Sequence, residues 1–235
     1  MNEEQRNELL ARAKNFFIQN IIPSHNTGLD RASHLDSYNI NPFLVEYLAN
    51  FLCGDDSPES LAKALIYPRV LGTSITTIFG NQAQRMISSI FEGMGSTTSG
   101  IDIEYIDSVD GRRKYCQIKA GPNTINSDDV TTIKNHFDGV RRLARTNNLN
   151  IGINDMVVGV LYGTAEDLSA HYNRIKKTYP VIVGAEFWHT LTGDTGFYND
   201  LISVFGQAAQ EVDSREALEA AIERLAHQIR ESDIF

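Results

Sequence analysis

Residues 101–120 read IDIEYIDSVDGRRKYCQIKA, and this stretch predicts a β-hairpin. In Ile101–Tyr105, apolar and acidic residues alternate with the period of two that is typical of a strand. Asp110-Gly111 is a strong signal for a two-residue type I′ turn, and Lys114–Ala120 forms the returning strand. The hairpin is therefore the predicted start of a sheet.

The register of this hairpin follows from its turn. With a two-residue turn, Asp102 lies opposite Lys119 and Glu104 lies opposite Gln117, at about 5 Å between Cβ atoms. All four side chains then leave the same face of the sheet. The other face carries Ile101, Ile103, Cys116 and Ile118.

Helical patterns surround the hairpin and define the fold class. Helices are predicted over 3–21, 41–51, from Ser57, over 81–92, from a cap at Ser127, from Glu186 and over 214–230, with buried strands over 155–163 and 181–183. This order predicts an α/β core, a mixed β-sheet flanked by helices on both faces. We predict one domain over 1–235, with a helical part over about 1–95, the sheet core over about 96–193 and C-terminal helices over about 194–235.

Composition excludes several classes of protein. The chain has 235 residues, 42% of them apolar, without the roughly 18-residue apolar run that a membrane helix needs. Its start is acidic where a signal peptide would be basic, so we expect a cytoplasmic protein. Cys53 and Cys116 form no Cys-x-x-Cys pair, which argues against zinc and disulfides. Gly95–Gly100 precedes a strand and lacks a Gly-Lys-Ser/Thr ending, so no nucleotide cofactor is expected.

The charge is unevenly distributed along the chain. The net charge of −9 argues against a nucleic-acid partner when it is taken alone. However, residues 112–145 carry eight basic residues against three acidic ones. A local positive surface on an acidic body can bind phosphates. The alternative is an ordinary solvated helix face.

The polar face of the hairpin suits phosphodiester hydrolysis. Carboxylate and amide oxygens from Asp102, Glu104 and Gln117 are hard ligands that suit Mg²⁺. Such an ion neutralises charge on the scissile phosphate and lowers the pKa of a bound water. Lys119 would position that water and stabilise the charge that develops. The alternative is a surface hairpin with an ordinary Asp–Lys cross-strand pair.

Gly100-Ile101-Asp102 followed by Gln117-Ile118-Lys119 resembles the PD-(D/E)XK signature of restriction endonucleases. Further blocks occur in the order found in type II enzymes that cut interrupted GC-rich palindromes of the RGGNCCY kind, and together they cover about residues 39–193. These blocks are Asn39–Phe43, Pro68–Gly72, Asp110–Arg112, Lys119–Gly121, Val157–Gly163 and Val183–Trp188. The resemblance implies that Asp102 binds the metal and that Lys119 is the catalytic lysine. Gln117 departs from the usual Glu or Asp, and either Glu104 or Glu92 is predicted to supply the missing charge.

Three groups of residues are candidates for DNA contact. The hydroxyls of Ser96, Thr97 and Thr98 suit phosphates, although a plain helix-to-strand connection explains them equally well. The other two groups of candidates lie in a polar loop after the second strand and in the basic helix that follows it. These residues are Asn123, Thr124 and Asn126 in the loop, and Lys134, Arg141, Arg142 and Arg145 in the helix.

The resemblance implies a homodimeric, Mg²⁺-dependent endonuclease that cuts double-stranded DNA at a short palindrome and leaves 5′-phosphate ends, because a palindrome matches a two-fold protein. The stripe Leu218, Ile222, Leu225, Ile229 is expected to pack in its own domain, with a dimer interface as the alternative. The six histidines show no metal-ligand spacing and are predicted to be non-catalytic. The competing functions are a structure-specific repair nuclease, a DNA-binding protein with an inactive site, which Gln117 favours, and a small-molecule α/β enzyme.

Overall fold

The computed structural model describes residues 1–233, and their contacts divide them into two compact units. The first unit contains Met1–Phe16 and Gly80–Gly206, and the second contains Phe17–Phe79 and the chain from Gln207 onward. The first helix therefore groups with the sheet and not with the helical residues that follow it. The predicted single domain over 1–235 stays a prediction.

The first unit is built on a four-stranded mixed sheet in the order β1-β2-β3-β4. β1 and β2 pair antiparallel, whereas β2, β3 and β4 run parallel. The strands are β1 (Ile103–Ile106), β2 (Arg113–Lys119), β3 (Met156–Val160) and β4 (Val181–Val183). The mixed α/β sheet predicted from the sequence is confirmed.

The α-helices of the described chain are α1 (Glu3–Phe16), α2 (Ile22–Ala32), α3 (Pro42–Cys53), α4 (Pro58–Pro68), α5 (Ile75–Ile90), α6 (Ser127–Thr146), α7 (Ala170–Lys176), α8 (Ala185–Thr192), α9 (Phe197–Glu211) and α10 (Arg215–Arg230). The helix predicted over 3–21 ends at Phe16 and continues as a π-helical turn, Phe17–Ile21. Among residues 1–233, no helix combines the length and the apolar character needed to cross a membrane.

Helices cover both faces of the sheet, as predicted. On one face, Val130 and Phe137 of α6 and Tyr172 of α7 share a buried cluster with Val158 of β3. On the other face, Phe187 of α8 packs so close to Gly159 that a Cβ there would lie 2.3 Å from its ring. The central strand is fully buried, which explains its continuous apolar run.

The hairpin turn is wider than predicted. The last backbone hydrogen bond of the hairpin ladder runs from Asp107 N–H to Arg112 O at 2.9 Å, and four residues, Ser108–Gly111, lie inside it. The Asp107 carboxylate accepts Val109 N–H at 2.8 Å, while Gly111 adopts a positive φ of 71° and donates to Asp107 O. These local side-chain bonds favour the longer turn over the type I′ turn that Asp110-Gly111 suggests. The predicted two-residue turn is wrong.

The wider turn shifts the register by two residues. Glu104 pairs with Tyr115, not with Gln117, and the predicted pairing of Asp102 with Lys119 is also wrong. Because the shift is even, the alternation of faces within β2 is kept. Ile101, which lies before β1 begins, packs with the α6 cluster and not on the opposite face. In the observed register, Asp102 therefore lies beside Gln117 and not opposite Lys119.

A buried ionic group lies at the turn end of β2. Lys114 is only 4% exposed, and its ammonium contacts the Asp110 carboxylate and lies 3.8 Å from Asp107 and 4.0 Å from Asp155. Arg112 binds Asp155 through two nitrogens, one of them at 2.6 Å. This network connects the hairpin turn to the start of β3.

The second unit has a helical core of its own. α3 and α4 pack with α10, whose residues Ile222, Leu225 and Ile229 are buried. The expected packing of that stripe is confirmed. Ser57 caps α4 by accepting Ser60 N–H at 3.3 Å, as the sequence predicts.

Candidate active site

Asp102 is held against β2 by two hydrogen bonds on either side of Gln117. Its backbone N–H donates to Cys116 O at 3.0 Å, and its Oδ2 accepts Ile118 N–H at 2.7 Å. Partial burial raises the pKa of the Asp102 carboxyl, against the opposing effects of the Ile118 N–H bond and the Lys119 charge. Its other oxygen, Oδ1, accepts no bond from the residues that the structure describes.

Gln117 is buried at 5% exposure, and its amide has a defined orientation. Nε2 lies 2.6 Å from Gly100 O and 2.8 Å from His136 Nδ1. Because a carbonyl oxygen only accepts, the amide NH₂ must face Gly100. His136 Nδ1 therefore accepts the second amide hydrogen, which requires the neutral Nε2–H tautomer. Gln117 Oε1 is left without a donor among residues 1–233.

These two oxygens define what the site can bind. Among residues 1–233 no group of three or more His, Cys, Asp or Glu side chains can hold a metal ion. The donor set of Asp102 Oδ1 and Gln117 Oε1 is nevertheless hard, and both atoms lack hydrogen-bond partners among the residues described. Mg²⁺ is usually bound through one or two carboxylates and completes its shell with water and substrate phosphate. The residues therefore fit a divalent ion that a phosphate substrate helps to hold.

Lys119 ends β2 on the same face as Gln117. Its Nζ lies 3.9 Å from Asp129 Oδ1 in the first turn of α6. Asp129 also accepts Asn126 N–H at 2.9 Å, as part of the box that caps the helix. The lysine is thus partly exposed but loosely restrained beside the helix start.

Glu104 occupies a different position from the one predicted. Its Oε1 accepts the hydroxyls of Ser96 at 2.8 Å and Thr98 at 3.1 Å, and its Oε2 lies 3.3 Å from Arg113. Four groups thus form a cluster that holds the connection before β1. The structure does not bring Glu104 together with Gln117.

Glu92 is exposed and lies two residues beyond the end of α5. Its carboxylate pairs with Arg12 at 3.2 Å, and within the described chain it makes no hydrogen bond or ion pair with Asp102 or Gln117. Neither of the two predicted sources of extra charge therefore contacts the proposed ligands.

The candidate DNA contacts before β1 differ in availability. The hydroxyls of Ser96 and Thr98 donate to Glu104, so in this structure they have no hydrogen left for a phosphate. Thr97 is exposed.

The predicted DNA-contact residues in the loop after β2 also differ in whether the protein already occupies their side chains. Thr124 donates its hydroxyl to Gly121 O at 2.8 Å. Asn126 is the N-cap of α6 and accepts Asp128 N–H at 2.8 Å and Asp129 N–H at 3.0 Å, so Ser127 is not the cap. Asn123 is exposed, and its side chain has no bond to residues 1–233.

Basic side chains continue along α6. Arg141 lies 3.5 Å from Asp138, one turn away. Lys134, Arg142 and Arg145 have no ion pair with the residues that the structure describes. Three of the four predicted phosphate contacts on α6 therefore remain available.

Two residues of the site were missed in the sequence. Asp129 and His136 are seven residues apart on α6, so they lie on one face of that helix beside Lys119 and Gln117. The signal was their position next to the buried stripe of α6. It is weak, because a histidine beside an apolar stripe is common in helices with no role in a site.

A comparison with known protein families finds one family that matches most of the chain. The family model of the type II restriction endonuclease EcoO109I matches residues 16–213, which is more than half of the chain. No curated protein matches the chain.

Proposed function

The chain belongs to the family of the type II restriction endonuclease EcoO109I, whose members are site-specific deoxyribonucleases and generally use a divalent metal, and we propose that it hydrolyses double-stranded DNA with Mg²⁺. The proposed target is a short GC-rich palindrome, and the proposed products carry 5′-phosphate and 3′-hydroxyl ends. Because its substrate is DNA, we place the enzyme in the cytoplasm.

The main observation behind this proposal is that Asp102 Oδ1 and Gln117 Oε1 have no hydrogen-bond partner among residues 1–233, while Lys119 lies on the same face of β2 as Gln117. Asp102 and Gln117 would hold Mg²⁺, which neutralises charge on the phosphate and activates a water. The Lys119 ammonium would orient the attacking water by donating a hydrogen bond to its oxygen. It would also stabilise the negative charge that develops on the phosphate oxygens.

Glu104 stands outside this proposed centre. Its three bonds to Ser96, Thr98 and Arg113 support a role in holding the connection before β1. Glu92 is likewise left outside, because its contact is with Arg12. The proposed centre therefore has one carboxylate, with the remaining negative charge coming from the DNA phosphate.

We assign DNA contacts to the groups that have free hydrogen-bonding capacity. Asn123 follows the strand that carries Lys119 and is exposed, which suits a base edge or a phosphate. Lys134, Arg142 and Arg145 suit phosphates, because none has an ion pair within residues 1–233. Thr97 is a further phosphate contact through its hydroxyl.

The enzyme is proposed to act as a homodimer through α3. This helix presents three aromatic side chains to solvent, Phe43 at 87%, Tyr47 at 62% and Phe51 at 78% exposure. Together with the exposed Leu44, Leu48 and Leu52 beside them, they form a patch that we call the α3 face. Monomeric proteins rarely expose so continuous an apolar surface.

A second copy of the chain suits the α3 face. Six large side chains, each at least 40% exposed, contribute to the face, and a standard interface buries roughly 800 Å² per partner. Its six residues carry no charge, so two copies can meet across a two-fold axis without repulsion. A palindromic DNA site requires the same symmetry.

A DNA-binding protein without nuclease activity is the second candidate. It is favoured by the neutral Gln117, which leaves a single carboxylate at the centre. The two candidates differ in whether bound DNA is cut when Mg²⁺ is present.

The deciding experiment is digestion of a long, diverse DNA with and without Mg²⁺, followed by sequencing of the ends. We expect discrete fragments that share one palindrome with the wild type and with Lys177→Ala, an exposed control. Lys119→Ala should reduce the cleavage rate by at least roughly 10²-fold while binding is retained. Intact DNA with all three proteins, under conditions where gel shifts show binding, would replace the nuclease with the DNA-binding candidate.

A further inference from the structure

The amide of Gln117 is held by two acceptors that come from different parts of the first unit. Gly100 O, which precedes β1, lies 2.6 Å from Nε2, and His136 Nδ1, on α6, lies 2.8 Å from the same atom. Each acceptor takes one of the two amide hydrogens. Rotating the amide by half a turn would place Oε1 against Gly100 O and leave two acceptors facing each other.

The position of His136 is itself well defined. A Cβ added at Gly100 would lie 2.3 Å from the imidazole, so the ring packs directly on a glycine. Gly100 has a positive φ of 77°, which other residues rarely adopt. The glycine thus admits the ring and also directs its carbonyl at the Gln117 amide.

From these contacts we infer that His136 is a positioning residue, which together with the Gly100 carbonyl holds the Gln117 amide so that Oε1 alone is free to bind a metal. This inference rests on the proposed function of the same site. It explains how a neutral amide can stand at a position where the sequence pattern predicts an acid. A free amide would present NH₂ and oxygen equally, and only the oxygen is a ligand.

The chain offers matched variants for this inference. His136→Ala removes the acceptor, whereas His136→Asn replaces Nδ1 with an amide oxygen at nearly the same place. Asn135→Ala alters the exposed neighbour on α6, which has no contact with the site among the described residues. Binding of Mn²⁺ alone, followed by electron paramagnetic resonance, measures the site without requiring cleavage.

We expect His136→Ala to weaken Mn²⁺ binding by about 10- to 100-fold, the usual effect of removing a group that orients a ligand. The Mn²⁺ affinity of His136→Asn should stay within about threefold of the wild-type affinity, and Asn135→Ala should leave the affinity unchanged. The concentration of Mg²⁺ that gives half-maximal cleavage should shift by the same factors. Wild-type binding by His136→Ala would overturn the inference.

A spectroscopic measurement tests the same inference without reference to DNA cleavage. Long-range ¹H–¹⁵N spectra of the imidazoles should show His136 as the neutral Nε2–H tautomer, and the signal should shift in Gln117→Leu. An Nδ1–H tautomer in the wild type would overturn the inference. If no variant cuts DNA but the tautomer and the Mn²⁺ results hold, the proposed function fails while the inference stands.

Discussion

The Asp102 carboxylate accepts the backbone N–H of Ile118 at 2.7 Å. This bond and the one from Asp102 N–H to Cys116 O place the acid beside Gln117, which lies between the two bonded residues. One carboxylate oxygen is used in the fold, and the other is available for chemistry. The same contact thus both orients Asp102 and buries it in part.

Asp102→Asn should greatly slow cleavage and raise the free energy of unfolding at neutral pH. Burial raises the Asp102 pKa above its ordinary 3.8, so the ionised form destabilises the folded state. An asparagine keeps the oxygen that accepts Ile118 N–H but carries no charge. We expect at least a roughly 10²-fold loss of cleavage rate.

The pH dependence provides the control for that variant. Below pH 3.8 both folded and unfolded Asp102 are protonated, so the two proteins should be about equally stable. As the pH rises through the raised pKa of the folded state, the stability that protonated Asp102 supplies is lost and the variant gains its advantage. Urea unfolding at several pH values measures this, and an advantage that is constant with pH would contradict the prediction.

Gln117→Glu restores the acid of the sequence pattern but should destabilise the protein without metal. A glutamate has no hydrogen for Gly100 O or His136 Nδ1, so two buried acceptors face its oxygens. We expect a loss of about 1–3 kcal/mol in the free energy of unfolding. Thermal unfolding with and without Mg²⁺ measures it, and Gln117→Leu, which lacks the added charge, is the matched control.

Mg²⁺ should recover part of the stability of Gln117→Glu, because the ion binds the folded state only. It should recover little in Gln117→Leu, which has lost the ligand oxygen. Equal stability of Gln117→Glu and the wild type in the absence of metal would mean that the amide hydrogens are not needed at this position.

Asp155→Ala should destabilise the first unit far more than the removal of an exposed ion pair. Asp155 binds Arg112 and Gly152 N–H and lies near the buried Lys114 ammonium, which would lose a counter-charge. Breaking a buried pair costs roughly 3 kcal/mol, whereas exposed pairs contribute about 0–1 kcal/mol. Asp213→Ala, which breaks the exposed pair with Arg215, is the control.

The effect of Asp155→Ala should depend on pH. The hydrogen bond from Arg112 lowers the pKa of Asp155 below 3.8, so its stabilisation is complete above that value. It should be lost as the pH falls through the lower pKa of the folded state. A difference between wild type and variant that does not shrink in acid would argue against an ionic role for this carboxylate.

Phe51→Asp on the α3 face should convert a dimer into monomers. Burying a charge in an apolar interface is unfavourable, and Phe51 is 78% exposed in a single chain, so its loss should leave the fold intact. Analytical ultracentrifugation should show at least a roughly 100-fold weaker association. Asn199→Asp places the same charge on an exposed residue of α9, outside the α3 face, and should leave association unchanged; a wild-type monomer would exclude the α3 interface.

Much of the fold was predictable because its signals are local. The alternation in β1, the apolar run of β3 and the Ser57 cap each depend on neighbours within a few residues. The turn was mispredicted because Asp107, three residues before the Asp-Gly signal, binds Val109 N–H and widens it. The register error of two residues followed from this wider turn.

The sequence by itself determined the sheet, its helices and the pairing of an acid-bearing strand with a strand that ends in lysine, because residue periodicity acts over short distances. Only the tertiary structure decided which groups meet. The Glu104 carboxylate accepts hydrogen bonds from Ser96 and Thr98. The Gln117 amide lies against Gly100 O and His136 Nδ1. These contacts join residues that are unrelated by local periodicity, since they depend on the register of β2 and on the packing of α6 against the sheet.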